Sequence, residues 1–220
     1  MTSRRSLISS TAALAVLAFA SIAGAADPLA DWQAGVNYRL VEDPQPTTVA
    51  AGKVEVAEVF WYGCSHCFAL DPVLEDWKTK KPAYIEFVRV PVIWGPLHRQ
   101  HARLYYTLQA LHRLDLHPKV FEAMHTQGIP LSDGDDAKAR AMQAEFLGRF
   151  GITGKQFDAA YDSMSVAMNV QRAENYTQSM VVDSVPMLFV NGKYATTVAA
   201  AGGDAQLLTL LKDLAASEKR

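Results

Sequence analysis

Glu58-Val59-Phe60-Trp61-Tyr62-Gly63-Cys64-Ser65-His66-Cys67 is the stretch from which the rest of the chain is read. Cys64 and Cys67 are the only two cysteines. An apolar run, Val56 to Tyr62, leads into them, and a helix-like segment, Phe68 to Lys78, comes after. Two thiols at this spacing can cycle between dithiol and disulfide. The thiolate is the nucleophile in such exchange. Unpaired backbone N–H groups at a helix start favour an anion. Cys64 falls at that start and Cys67 about one turn in. Attack and mixed-disulfide formation are therefore assigned to Cys64, and resolution of the mixed disulfide to Cys67. His66 can add a positive or hydrogen-bonding group beside the Cys64 sulfur.

Three other uses of the pair are weaker. A purely structural disulfide here closes a four-residue loop, worth roughly 2 kcal/mol on chain entropy against roughly 4.7 for a 100-residue loop. Zinc needs four ligands, and no second cysteine pair or nearby His-x-x-x-His cluster supplies them. Covalent haem attachment needs histidine directly after the second cysteine, and Phe68 stands there. No metal and no cofactor is expected.

Upstream, residues 1–25 read as a cleavable export signal: Arg4 and Arg5, an apolar centre from Leu7 to Ile22, then Ala23-Gly24-Ala25. Export suits a redox pair, because disulfides persist in oxidising compartments. About 195 residues then remain, enough for one sizeable domain or two small ones. The whole chain carries 21 basic and 23 acidic residues. No basic stripe points to nucleic acid, and no later segment is long and apolar enough to span a membrane.

Val54 to Tyr62, apolar on both faces, predicts a strand in the middle of a covered sheet. Glu58 interrupts it. A carboxyl in a core strand must be paired or protonated. Glu58 is either a proton acceptor for the Cys67 thiol, through water, or a group pointing to the sheet's edge. Asn37 to Val41 predicts a short edge strand, and Ile85 to Val90 a second main strand. Phe68, Leu70, Val73, Leu74 and Trp77 form a helical stripe with Pro72 inside it.

From about Leu97 to Val181 the period is helical. One helix is marked by Leu104, Leu108, Leu111 and Leu114. Others are marked by Val120, Phe121 and Met124, and by Met142, Phe146 and Phe150. Thr153 with Gln156 predicts a capping box, and Val166 to Val181 a longer helix. His98, His101, His112, His117 and His125 are scattered; His98 and His101 could share a helix face, but a pair without a third ligand reads as solvated surface rather than a metal site. The methionines and aromatics read as core, and Asp133 to Asp136 as a solvated turn. Strand pattern returns at Val185. Asn191-Gly192 predicts a two-residue hairpin, and Asp204 a cap for a last helix. The chain thus divides into a signal (1–25), an α/β half (26–96), a helical insertion (97–183) and a second α/β half (184–220).

The stretch from Glu58 to Cys67, Pro72, the long helical insertion and Val185-Pro186-Met187-Leu188-Phe189-Val190-Asn191-Gly192-Lys193-Tyr194 together resemble the DsbA family of thiol:disulfide interchange proteins, within the thioredoxin superfamily. The resemblance covers nearly the whole chain after the signal. It implies an α/β, thioredoxin-like fold with an inserted all-helical domain, and a redox disulfide between Cys64 and Cys67. It also implies a cis bond before Pro186, whose loop faces the cysteines and offers Val185 backbone groups to a substrate strand. The family's glutamate maps to Glu58. Its partners would be reduced exported polypeptides and a quinone-linked, DsbB-type membrane oxidase; its place would be the periplasm. The family commonly has Pro-His between the cysteines, where this chain has Ser65-His66; serine frees a backbone N–H and adds a hydroxyl, and either could stabilise or reorganise the thiolate.

The function expected is that of a monomeric dithiol oxidase that introduces disulfides into exported proteins. A reductase or isomerase of the same fold is a second reading. A peptide-binding chaperone with incidental cysteines is a third.

Overall fold

A computed structural model describes residues 27–219. The expected signal segment lies outside them. Five strands form one mixed sheet: β1 (Arg39–Leu40), β2 (Val54–Phe60), β3 (Ile85–Pro91), β4 (Met187–Val190) and β5 (Tyr194–Thr196). Their spatial order is β1-β5-β4-β2-β3. Every residue of β2 is buried, Glu55 and Glu58 included. It pairs in parallel with β3 and antiparallel with β4. A parallel pair needs a crossover. Helix α1 (Ser65–Lys80) supplies it, with Pro72 inside.

Between β3 and β4 the chain is helical: α2 (Pro96–Ala110), a 3₁₀ turn (Leu114–Leu116), α3 (His117–His125), α4 (Asp136–Gly148), α5 (Gly154–Tyr161) and α6 (Met164–Ser179). After β5 come α7 (Val198–Ala201) and α8 (Asp204–Ser217). On one sheet face Val54, Val56, Leu188 and Val190 pack with Leu70 and Leu74 of α1 and Leu207, Leu210 and Leu211 of α8. On the other, Ala57, Val59, Met187 and Phe189 pack with Met180 and Tyr176. A third cluster joins Phe60, Tyr62 and Cys67 to Leu104, Leu108, Val120, Phe121 and Phe157 of the helical block. The cysteines therefore sit where sheet and helices meet.

Several local expectations change. β2 ends at Phe60 rather than Tyr62, because Trp61 to Cys64 form a turn closed by Cys64 N–H donating to Trp61 O at 3.0 Å. α2 stops at Ala110, and His112 takes φ 54°. Leu114 therefore lies in the 3₁₀ turn and is exposed. Phe150 lies beyond α4 but still packs on Phe146 at 5.1 Å between centroids. Asp204 is the first residue of α8, with Gly203 at the cap and no side-chain capping bond. Met164 and Met168 are exposed, not core. In the acidic turn, Asp135 caps α4 by accepting from Lys138 N.

Other local readings hold. Thr153 and Gln156 form a reciprocal capping box. Asn191 (φ 52°) and Gly192 (φ 67°) make a tight turn closed by Lys193 N–H donating to Val190 O at 3.0 Å. A Cβ on Gly192 would lie 2.1 Å from Gln45 O, so both backbone angle and space demand glycine there.

Candidate active site

Cys64 is the N-cap of α1, and both cysteines are free thiols. Its Sγ accepts from Cys67 N–H at 3.4 Å, one of the donors left open by the first helical turn. Hydrogen bonding from the Cys67 thiol is the largest cause holding the Cys64 thiol down at about 5. Partial burial opposes this, while the Cys67 and His66 backbone and the His66 charge add to it. Cys67 is the reverse case: fully buried, its thiol is pushed far up by desolvation, then by the Cys64 sulfur and the Glu58 charge. The pair thus divides into an accessible anion and a buried acid. Ser65 and His66 are exposed on the first turn.

The Val185–Pro186 peptide is cis. Val185 O lies 3.4 Å from Cys64 Sγ, which donates to it when protonated. The loop therefore faces the sulfur. Beside it is an apolar hollow of about 380 Å³, lined by His66, Leu70, Val185, Pro186 and Val198 among others.

Glu58 does not point to the sheet's edge. It is buried in β2, directly opposite Arg89 in the parallel register. Arg89 Nε donates to Glu58 Oε2 at 2.8 Å, NH2 to Asp71 Oδ1 at 2.8 Å and NH1 to Glu75 Oε1 at 2.6 Å. Three carboxylates share one guanidinium. Burial raises the Glu58 carboxyl to about 7, and Arg89 only partly offsets it. Cys67 and Asp71 are four apart on α1 and so share a face. Sequence reasoning missed Arg89 and Asp71. The lone Arg in the Ile85–Val90 run was their signal, but its partner depends on strand register.

Of the histidines, His101 departs from its expected place at the surface. His101 and His117 are buried, and both are driven down to about 4 by desolvation. Trp61 Nε1–H donates to His101 Nδ1 at 2.9 Å, so His101 donates through Nε2 to Pro130 O at 3.0 Å. Tyr62 OH and His117 Nδ1 are 2.8 Å apart. His117 Nε2 lies 3.3 Å from Asp71 Oδ1 but without hydrogen-bond alignment. His125 Nε2–H donates to Tyr62 O at 2.8 Å, its ring stacked on Phe68. Among the described residues no group of three His, Cys, Asp or Glu side chains is placed to hold a metal ion.

Comparison with known proteins bears on this arrangement. No protein-family model matches the chain. The thiol:disulfide interchange protein DsbA of Pseudomonas aeruginosa is 34% identical over 206 residues, 93% of this chain and 94% of its own length. That of Bordetella parapertussis is 37% identical over 177 residues, 80% of this chain and 81% of its own. The crystal structure of Pseudomonas aeruginosa DsbA superposes with a TM-score of 0.78 at 33% identity, covering 86% of this chain and 95% of that one. The oxidoreductase DsbA from Xylella fastidiosa gives 0.74 at 27% identity, covering 82% and 94%. With a cysteine pair at the start of the first helix, a thioredoxin-like sheet interrupted by a helical block, and these relatives over nearly its whole length, the chain belongs to the DsbA family of thiol:disulfide interchange proteins and is a thiol:disulfide oxidoreductase.

Proposed function

We propose that the protein is a periplasmic dithiol oxidase that introduces disulfides into reduced exported polypeptides through Cys64 and Cys67. The observation that carries this is the asymmetry of the pair: a partly accessible Cys64 thiol held down at about 5 beside a buried Cys67 thiol held far up. A stabilised thiolate favours the reduced enzyme, which makes the disulfide form the stronger oxidant.

In the oxidised enzyme a substrate thiolate attacks Cys64 Sγ. The Cys64–Cys67 bond breaks, a bond from substrate sulfur to Cys64 forms, and Cys67 leaves with the electron pair. Cys67 then takes a proton. A second substrate thiolate attacks the first substrate sulfur, closing the substrate disulfide and expelling Cys64 as thiolate. The substrate gives up two electrons and two protons. The enzyme keeps both electrons and one proton, on Cys67, and the other proton passes to solvent. Glu58, held at about 7, can give and take the Cys67 proton through water. His66 stabilises the Cys64 anion. Val185 and Pro186 present a backbone edge to an extended substrate, whose neighbouring apolar side chains fit the hollow beside them.

On this reading the chain works as a monomer. A quinone-linked, DsbB-type membrane oxidase returns the cysteines to the disulfide. Residues 1–25 direct export, and residues 97–183 form the insertion between two halves of one α/β unit, 26–96 and 184–220.

Cysteine variants test this against a reduced two-cysteine peptide. Cys64→Ser is expected to abolish its oxidation. Cys67→Ser is expected to accumulate a mixed disulfide when the enzyme is offered an activated disulfide. Full oxidation by Cys64→Ser would show that the assignment is wrong. Undiminished peptide binding with no redox turnover in the wild type would instead support a binding module.

A further inference from the structure

The turn that delivers Cys64 is held from outside the sheet. Trp61 to Cys64 is four residues long, closed by one backbone hydrogen bond. Its two side chains before the glycine, and one of its carbonyls, are each taken by a histidine of the helical block. His101 on α2 accepts from the Trp61 indole, and His117 on α3 pairs with the Tyr62 hydroxyl. His125, at the end of α3, donates to the Tyr62 carbonyl. The three bonds measure 2.8–2.9 Å and span 40 to 63 residues of sequence.

The turn is also packed on itself, and the helical block grips the chain beyond it. The Trp61 ring lies over Gly63, where a Cβ would come within 2.4 Å of it. Phe68, next to Cys67, stacks on His125 with centroids 4.9 Å apart and planes 5° apart. Thus the residues on both sides of the cysteine pair are fixed to α2 and α3. The Tyr62 carbonyl belongs to the peptide joining the two central residues of the turn. Holding it holds the plane from which Gly63 and Cys64 continue into α1.

We propose that His101, His117 and His125 are positioning residues for Cys64, fixing the Trp61–Cys64 turn so that the Cys64 sulfur stays in line with the open N–H groups at the start of α1. They touch neither sulfur. Their effect reaches Cys64 through backbone geometry, and a hydrogen bond of an N–H to sulfur weakens steeply as distance and angle depart from the optimum. The proposal rests on Cys64 being the thiolate of the exchange reaction. It assigns to the helical insertion a part in setting that thiolate, beyond covering the sheet.

The test compares wild type with Tyr62→Phe, His125→Leu and His125→Gln. Tyr62→Phe removes one hydroxyl and keeps the ring. His125→Leu removes the donor to the Tyr62 carbonyl, and His125→Gln restores an N–H donor. Each is titrated by thiolate ultraviolet absorbance and equilibrated with glutathione buffers, with an unfolding midpoint measured alongside. Expected is a Cys64 titration about one unit higher in His125→Leu. Its glutathione equilibrium should move about tenfold, or roughly 30 mV, toward a weaker oxidant. Tyr62→Phe should move the same way by less, and His125→Gln should lie nearer wild type than His125→Leu. Lower midpoints with neither redox reading moved would leave these histidines a packing role and overturn the proposal. A wild-type Cys64 with an ordinary thiol titration would overturn the redox reading itself, a result separate from any variant.

Discussion

Arg89 faces Glu58 directly across the parallel β2–β3 pair, with Nε donating to Oε2 over 2.8 Å. Both side chains are buried, and the same guanidinium also meets Asp71 and Glu75 of α1. Burial lowers a guanidinium's hold on its proton, but here the three carboxylates outweigh it and keep Arg89 firmly charged. The network joins the central strand to the helix that carries the cysteines.

Arg89→Met should therefore be costly. Removing one partner of a buried ionic cluster leaves uncompensated charge, typically about 3–5 kcal/mol of stability. Denaturant unfolding at neutral pH should show a loss of that order, with Arg89→Lys losing less. A loss below about 1 kcal/mol would mean that the carboxylates are satisfied without the guanidinium.

Glu58→Gln separates proton transfer from thiolate formation. With Cys64 set by Cys67 and the helix start, its titration should stay close to wild type. The step in which Cys67 closes on a Cys64–glutathione mixed disulfide needs Cys67 to lose a proton. Stopped-flow measurement should find it slowed, by roughly 10²-fold if Glu58 acts as its base. An unchanged closing rate would remove Glu58 from the reaction.

The pH dependence of the stability gap between the reduced and oxidised forms is set by the two thiols. Cys64 has a folded value near 5, below its unfolded one. Its stabilisation of the reduced form is complete above the unfolded thiol value, about 8.5, and is lost as pH falls toward 5. Cys67 is raised, so its contribution holds below about 8.5 and is lost as pH rises beyond it. Unfolding of the reduced and oxidised forms, compared at a series of pH values, should show the reduced form gaining between about pH 5 and pH 8.5, where only Cys64 has lost its proton on folding, and losing again above about pH 8.5, where the unfolded Cys67 thiol ionises and the folded one does not. The slope should reach at most about tenfold in equilibrium constant per pH unit. A gap independent of pH would contradict the low Cys64 value.

Gly192→Ala tests the hairpin. It puts a Cβ 2.1 Å from Gln45 O at φ 67°. Destabilisation at or beyond the upper end of the roughly 1–3 kcal/mol usual for strain at positive φ is expected in denaturant unfolding, because the blocking atom is backbone.

The features legible in the sequence were local ones. The β2 run, the cysteine pair, the Thr153–Gln156 capping box and the Asn191-Gly192 turn each rest on neighbouring residues. Glu58 was legible as an anomaly, since a carboxyl in an apolar strand demands a partner, but Arg89 becomes that partner only through strand register. His101, His117 and His125 looked scattered because their partners, Trp61 and Tyr62, lie 40 to 63 positions away. No periodicity encodes such contacts. Likewise α7, four residues long, is too short to show a helical period.

The most direct measurement of the central claim is the redox equilibrium of Cys64 and Cys67 in glutathione buffers, with the Cys64 thiolate titrated by ultraviolet absorbance. Each tenfold change in that equilibrium corresponds to about 30 mV. A thiolate forming near pH 5 and a pair more oxidising than glutathione are predicted. An ordinary thiol titration with a potential near thioredoxin's would contradict the claim, leaving the fold intact but the pair directed toward reduction.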